Sequence, residues 1–293
     1  MSLCALCPRA CGADRDASRG YCGARWNPNV ARAALHFWEE PFISGARGSG
    51  TIFFCGCNLD CAFCQNHAVN HALIGPELDA EALAGVMLSL QSRGAHNVNL
   101  VSPAPFVPML REAILLARSA GLTLPVVYNT NAYEKVETLG SLSGLVDVYL
   151  PDLKYVSSPI AAKYSGAADY FAFASRAIDE MLAQCGPLEL DAEGVAVRGV
   201  AIRHLVLPGS VDETRRVVDY VADHFPPDIA FSLMGQYVPN GKTLPAPLDR
   251  GLLGREYDRA VNYALARGLT NVLIQKLSSA SSDFTPEFDG KLM

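Results

Sequence analysis

Nothing in this sequence approaches the roughly 18 consecutive apolar residues of a membrane-spanning helix. No charged start followed by an apolar stretch opens it, so an export signal is equally unsupported. Positive charge is not in excess either. The chain has 24 Lys and Arg against 30 Asp and Glu, a formal net charge of -6, and so offers no basic surface to nucleic acid. No G-x-G-x-x-G follows an apolar strand, which argues against a doubly wound dinucleotide-binding sheet. What the chain does have is 50% hydrophobic residues over 293 positions, enough to bury a large α/β core, and 9 cysteines. Cysteines grouped as C-x2-C and C-x3-C-x2-C read as metal ligands in a reducing compartment rather than as a secreted disulfide framework. The expectation is a cytoplasmic protein with no membrane partner.

The most informative stretch is TIFFCGCNLDCAFCQN, Thr51 to Asn66, with Cys57, Cys61 and Cys64 at C-x3-C-x2-C spacing. Three thiolates in one loop can hold three irons of a 4Fe-4S cube and leave the fourth iron open to a small-molecule ligand. A structural zinc knuckle would need a fourth ligand, with His67 or Cys55 as candidates. Cys55, next to the strand, reads instead as a small buried hydrophobe. A second set, Cys4, Cys7, Cys11 and Cys22, is spaced C-x2-C-x3-C-x10-C in a segment too poor in large apolar side chains to pack a core. Four thiolates could fold it around a second metal, either zinc or a fully ligated iron-sulfur cluster.

From Thr51 onward apolar strands alternate with helical segments. Leu83, Val86, Met87 and Leu90 form one face of a helix that begins at Asp79 and stops at Gly94. Strands follow at Asn97 to Ser102, Leu124 to Asn129 and from Val146, then from Ala201, Ile229 and Asn271. Helices are predicted from Pro108 to Gly121, near Lys135 to Leu142, and as one long region from about Pro159 to Cys185. Repeated βαβ units build a parallel sheet with right-handed crossovers. The predicted fold is a partial (β/α)6 TIM-like barrel over residues 51–293, with a Cys-rich N-terminal extension over 1–50. A closed eight-unit barrel is the runner-up. Trp26 to Gly50 shows no clear periodicity, and Glu39 and Glu40 read as solvated loop carboxylates.

Ligands of such barrels collect at the C-terminal ends of the strands. Those ends carry Ser102-Pro103-Ala104-Pro105, then Asn129-Thr130-Asn131-Ala132, then Asp152-Leu153-Lys154, and Gln236 after the sixth strand. Alternation places Asp152 and Lys154 on one face with Val146, Val148 and Leu150, where a charged pair must be paired or hold a ligand. Arg203 and His204 face opposite ways, and a strand histidine of this kind is usually a satisfied core residue.

The cysteine loop after a short apolar strand resembles the radical S-adenosylmethionine (SAM) superfamily. Together with CPRACGADR, EEPFISG, YNTNAYE, VYLPDLKY, IRHLVLPG and LMGQY, it is similar to the PflX-like branch of pyruvate formate-lyase activating enzyme homologues. The resemblance covers nearly the whole chain. It implies a radical SAM oxidoreductase whose 4Fe-4S cluster, on Cys57, Cys61 and Cys64, binds SAM at its open iron. SAM would then be cleaved reductively to a 5'-deoxyadenosyl radical that abstracts hydrogen from a protein or small-molecule substrate. It implies an external electron donor of flavodoxin or ferredoxin type. It also implies SAM contacts at Ser102, Asn129, Thr130, Asn131, Asp152, Lys154 and Gln236. Two departures from the activating enzymes stand out: their Gly-Gly-Glu-Pro is replaced by Ser102 to Pro105, and Ala132 stands where they have Gly. The reading from another class is a non-catalytic iron-sulfur electron carrier or metal sensor.

Overall fold

The computed structural model describes residues 3–70, 72–239, 244–275, 277 and 285–293. Its strands in chain order are β1 Val30–His36, β2 Ser49–Phe54, β3 Val98–Val101, β4 Val126–Thr130, β5 Val148–Pro151, β6 Glu189–Leu190, β7 Ala196–Leu205, β8 Ala230–Met234 and β9 Val272–Ile274. They form a 9-stranded sheet in the order β1-β2-β3-β4-β5-β7-β8-β9, with β6 paired to β7 off this path. From β2 onward every neighbour on that path is parallel. The sheet curls without closing, so the architecture is the partial barrel predicted for the chain. No helix among the described residues is long and apolar enough to cross a membrane.

Helices cover the outside. Between β2 and β3 lies α1, Ala80–Ser92, capped by the Asp79 side chain accepting from the amide of Ala82. This satisfies one of the amides that a helix start leaves unpaired. Its face of Leu83, Val86, Met87 and Leu90 is buried against the strands, as the periodicity predicts. The long helical region predicted after β5 is in fact split into α2, Ser158–Ser165, and α3, Tyr170–Cys185. Gly166 makes the break by adopting a left-handed φ of 62° as the cap of α2, a conformation that costs a residue with a Cβ.

The segment that lacked periodicity turns out to be built into the barrel. β1 pairs antiparallel with β2, and its outer edge is covered by the C-terminal tail, where the Ala33 amide donates to the Lys291 carbonyl at 3.1 Å. Pro41–Ser44 then forms a single helical turn. Its Phe42 and Ile43 pack with Val127, Val148, Leu150, Ala196, Ala201 and Ala230 in an apolar cluster. Val146, which strand alternation grouped with Val148 and Leu150, belongs instead to the larger cluster under the helices, because regular β5 geometry begins only at Val148.

Candidate active site

β2 ends at Phe54. Cys55 is buried beside Ala31, Phe53, Val69 and Val101, and its thiol donates to the Ile74 carbonyl at 3.3 Å. It is a packing residue. Gly56 turns the chain with φ +98°, and a Cβ there would lie 2.7 Å from the Cys22 carbonyl oxygen. The loop that follows carries Cys57, Cys61 and Cys64 to the wall of one cleft of about 210 Å³. The Cys57 sulfur accepts from the Leu59 amide at 3.4 Å and from Asn131 Nδ2 at 3.2 Å. Asn131 Nδ2 also donates to Asn58 Oδ1 at 2.8 Å. Cys61 Sγ lies 2.9 Å from Ser165 Oγ, which meets the Tyr155 hydroxyl at 2.9 Å. Burial, reinforced by the neighbouring Cys61 thiol, pushes Cys57 up to about 12. Burial likewise raises Cys61, with the Lys154 ammonium opposing it.

Among the described residues no three His, Cys, Asp or Glu side chains converge as ligands to a single ion. A 4Fe-4S cube makes a different demand, since each thiolate binds its own iron and the sulfurs need not meet at a point. Three soft sulfurs around one cleft, one of them held by N–H donors, fit such a cluster.

The same cleft is walled by the strand ends. Ser102, Asn129, Thr130, Asn131, Asp152, Lys154 and Gln236 all line it with the three cysteines. Ser102 takes a left-handed φ of 60°, and its amide donates to the Asn129 carbonyl at 3.1 Å. Lys154 Nζ donates to Asp152 Oδ2 at 2.7 Å. Burial works against both charges. Arg203 and Lys154 nonetheless hold Asp152 below the usual carboxylate range, and Asp152 and Cys61 hold Lys154 above the usual lysine value. The pair therefore stays ionised and aimed into the cleft. The Gln236 backbone carbonyl accepts from Gln65 Nε2 at 3.3 Å.

Arg203 is the centre that sequence reasoning underweighted. It donates from Nε to Asp152 Oδ1 at 2.9 Å, from Nη1 to Glu39 Oε1 at 3.0 Å and from Nη2 to Asn129 Oδ1 at 2.6 Å. Glu39 Oε2 in turn accepts from Asn129 Nδ2 at 2.8 Å and from Asn99 Nδ2 at 3.3 Å. Glu39 is thus no solvated loop carboxylate, and neither is Glu40, which is buried and accepts from Ser232 Oγ at 2.6 Å. Burial raises the Glu40 carboxyl above its ordinary value. The one available sequence signal was a pair of acids ahead of an apolar PFI. His204 is a satisfied core residue, its ring nitrogens meeting the Leu153 carbonyl at 2.8 Å and Thr214 Oγ1 at 3.0 Å.

Cys4, Cys7, Cys11 and Cys22 lie in the segment packed beside this loop, where the Cys57 amide donates to the Cys22 carbonyl at 3.2 Å. Arg9 Nε donates to the Asn58 carbonyl at 2.9 Å. Among the described residues the nine cysteines form no disulfide.

SuiB of Streptococcus suis, in a structure with the precursor peptide SuiA bound, matches the chain with a TM-score of 0.50 at 15% identity. The match covers 75% of this chain and 46% of SuiB, so the chain spans about half of that protein's length. What the chain shares with SuiB is the fold, an open partial (β/α) barrel. A domain of pyruvate-formate lyase-activating enzyme from Bacteroides vulgatus matches at a TM-score of 0.42 and 12% identity, over 58% of this chain and 91% of that domain. It is too distant to bear on function. In sequence, the chain is 29% identical to the uncharacterized protein MJ0674 of Methanocaldococcus jannaschii over 269 residues, 89% of this chain and 74% of that protein. No protein-family model matches.

Proposed function

We propose that this protein is a radical SAM iron-sulfur enzyme, similar to the pyruvate formate-lyase activating enzymes and their PflX-like branch. One observation carries the reading. The three-cysteine loop and the charged strand ends open into the same cleft, with the Lys154 ammonium close enough to act on the Cys57 and Cys61 thiols. Cys57, Cys61 and Cys64 would hold a 4Fe-4S cluster. Such a cluster would supply the electron for reductive cleavage of bound SAM, taken from an external donor of flavodoxin or ferredoxin type.

The roles of the side chains follow from charge and position. Lys154 would pair with the SAM carboxylate through a charge-assisted hydrogen bond. Asp152 orients Lys154, and Arg203 holds Asp152 in place. Asn129 and Asn131 present short amides to the polar part of the ligand, whereas the Thr130 hydroxyl is turned away to the buried Glu134 carboxyl, and Asn131 also steadies Cys57. Ser102 and the carbonyls beside it would receive the SAM amino group, since no carboxylate follows β3 here. Walls of this kind exclude water from a reactive radical.

An electron carrier or metal sensor has no use for a lattice of Glu39, Arg203, Asp152 and Lys154 beside its cluster. The test is anaerobic reconstitution with iron and sulfide, dithionite reduction and addition of SAM. The outcome expected is 5'-deoxyadenosine, lost when Cys57, Cys61 and Cys64 are replaced by Ala. A reconstituted, reduced parent protein that leaves SAM intact would overturn the proposal.

A further inference from the structure

β4 and β5 leave their ladder just where the cleft begins. Their last paired residues are Thr130 and Pro151, so Asn131 on one side and Asp152 to Lys154 on the other lie beyond strand pairing. Backbone groups that leave a sheet in the interior still need partners. The Asp152 amide finds the Thr130 carbonyl at 2.9 Å, and the Leu153 amide finds the Arg203 carbonyl at 2.8 Å. Among the described residues, the Lys154 amide and the Asn131 carbonyl have no backbone partner.

Both are met by one side chain that the site above does not use. Tyr170, the first residue of α3, is 0% exposed and stands behind the cleft wall rather than in it. Its hydroxyl accepts from the Lys154 amide at 3.0 Å and shares its proton between the carbonyls of Asn131, at 2.9 Å, and Asp152. Each of these partners is main chain, and each belongs to a residue of the cleft wall.

The ring that carries this hydroxyl is itself held. It stacks on Tyr133, with centroids 6.1 Å apart and planes 24° apart, and meets Tyr155 edge to face at 5.6 Å. Tyr133 also secures the residue before Tyr170, donating its own hydroxyl to Asp169 Oδ1 at 2.6 Å. A core position asks for volume, which phenylalanine supplies as well as tyrosine. A hydroxyl buried there is costly unless it is bonded, so what it adds lies in the bonds it makes to the strand ends.

We propose that Tyr170 is a positioning residue of the proposed activity: its hydroxyl pins the end of β5, and with it the Lys154 ammonium, against the end of β4. The inference rests on the reading of the cleft as the SAM site and adds what fixes the place of its cation. Tyr170 holds the Lys154 main chain, and Asp152 holds the ammonium at 2.7 Å. The long side chain is thus ordered before a ligand arrives, which removes part of the ordering cost of binding.

The test is Tyr170→Phe, which keeps the ring and its stack and removes the hydroxyl. Calorimetric titration of SAM into the reconstituted variant should show affinity about fivefold weaker than in the parent, within the range of one hydrogen bond. In the Lys154→Met background the same change should alter affinity by less than about twofold, because the group it positions is gone. Tyr133→Phe removes a hydroxyl of the same stack that is bonded away from the strand ends, and should likewise stay within about twofold of the parent. Unchanged affinity in Tyr170→Phe overturns the inference. So does a loss that is equal in both backgrounds or equal in Tyr133→Phe, since the hydroxyl then serves only the fold. Solvent exchange of the Lys154 amide, followed in the full chain without iron or SAM, is the second measurement. It should be roughly fivefold faster in Tyr170→Phe, and an unchanged rate overturns the inference by itself. A parent that binds no SAM refutes the reading of the cleft instead, and the exchange rate then decides whether the hydroxyl holds the β5 end.

Discussion

Lys154→Met removes the one lysine of the cleft wall among the described residues, while keeping most of the length and the apolar body of its stem. In the parent protein its ammonium lies 2.7 Å from Asp152 Oδ2, with the two side chains only 15% and 16% exposed. The fold should tolerate the change, because Asp152 keeps Arg203 at 2.8 Å as its counter-ion. What is lost is the charge facing the ligand. A charge-assisted hydrogen bond contributes about 1.5 to 3 kcal/mol. At about 1.4 kcal/mol per decade this is roughly a ten- to hundredfold weakening of SAM binding. The assay is calorimetric titration of SAM into the reconstituted variant and the parent, with iron measured on both. Iron content should be unchanged, because Lys154 ligates nothing. If the variant binds SAM as the parent does, Lys154 is only a structural partner of Asp152 and its assigned role is wrong. If iron falls with affinity, the ammonium acts through the thiolates it neighbours rather than through SAM.

Two further outcomes follow from buried charge. Arg203→Met leaves Glu39 without its cation and Asp152 with Lys154 alone, so it should cost about 3 kcal/mol, the lower end for breaking a buried pair. Urea denaturation decides it, and a loss under about 1 kcal/mol would show that Asn99 and Asn129 suffice to hold Glu39. Glu134 is buried between the hydroxyls of Tyr128, at 2.7 Å, and Thr130, and burial lifts its carboxyl from 4.5 to about 7. A raised folded value means stability that is complete below the unfolded value and lost as pH rises through the folded one. The parent should therefore lose roughly 3 kcal/mol between about pH 4.5 and 7, at 1.36 kcal/mol per pH unit. Glu134→Gln should flatten that slope, and equal slopes in the two proteins would refute the assignment.

What was legible in the sequence is what is local or periodic. Cys57, Cys61 and Cys64 share one loop, so their spacing alone brings them together. The alternation of apolar strands with helices announces a parallel sheet, and a parallel sheet gathers its strand ends, which is why Ser102, Asn129, Asp152 and Gln236 could be placed around one cleft before any coordinates. Periodicity could not see Gly166 breaking a long helix, since a single left-handed residue leaves the apolar pattern on either side intact. Nor could it see the interior of the barrel. Glu39 and Arg203 are 164 positions apart, and Glu40 and Ser232 are 192 apart. Glu39 and Glu40 lie in a segment with neither helical nor strand periodicity, so by themselves they look like surface acids. Only the curling of the sheet around Phe42 and Ile43 carries those two carboxylates out of water and onto their partners. Burial then makes the pairing obligatory, because an unpaired charge in that position would be too costly to keep.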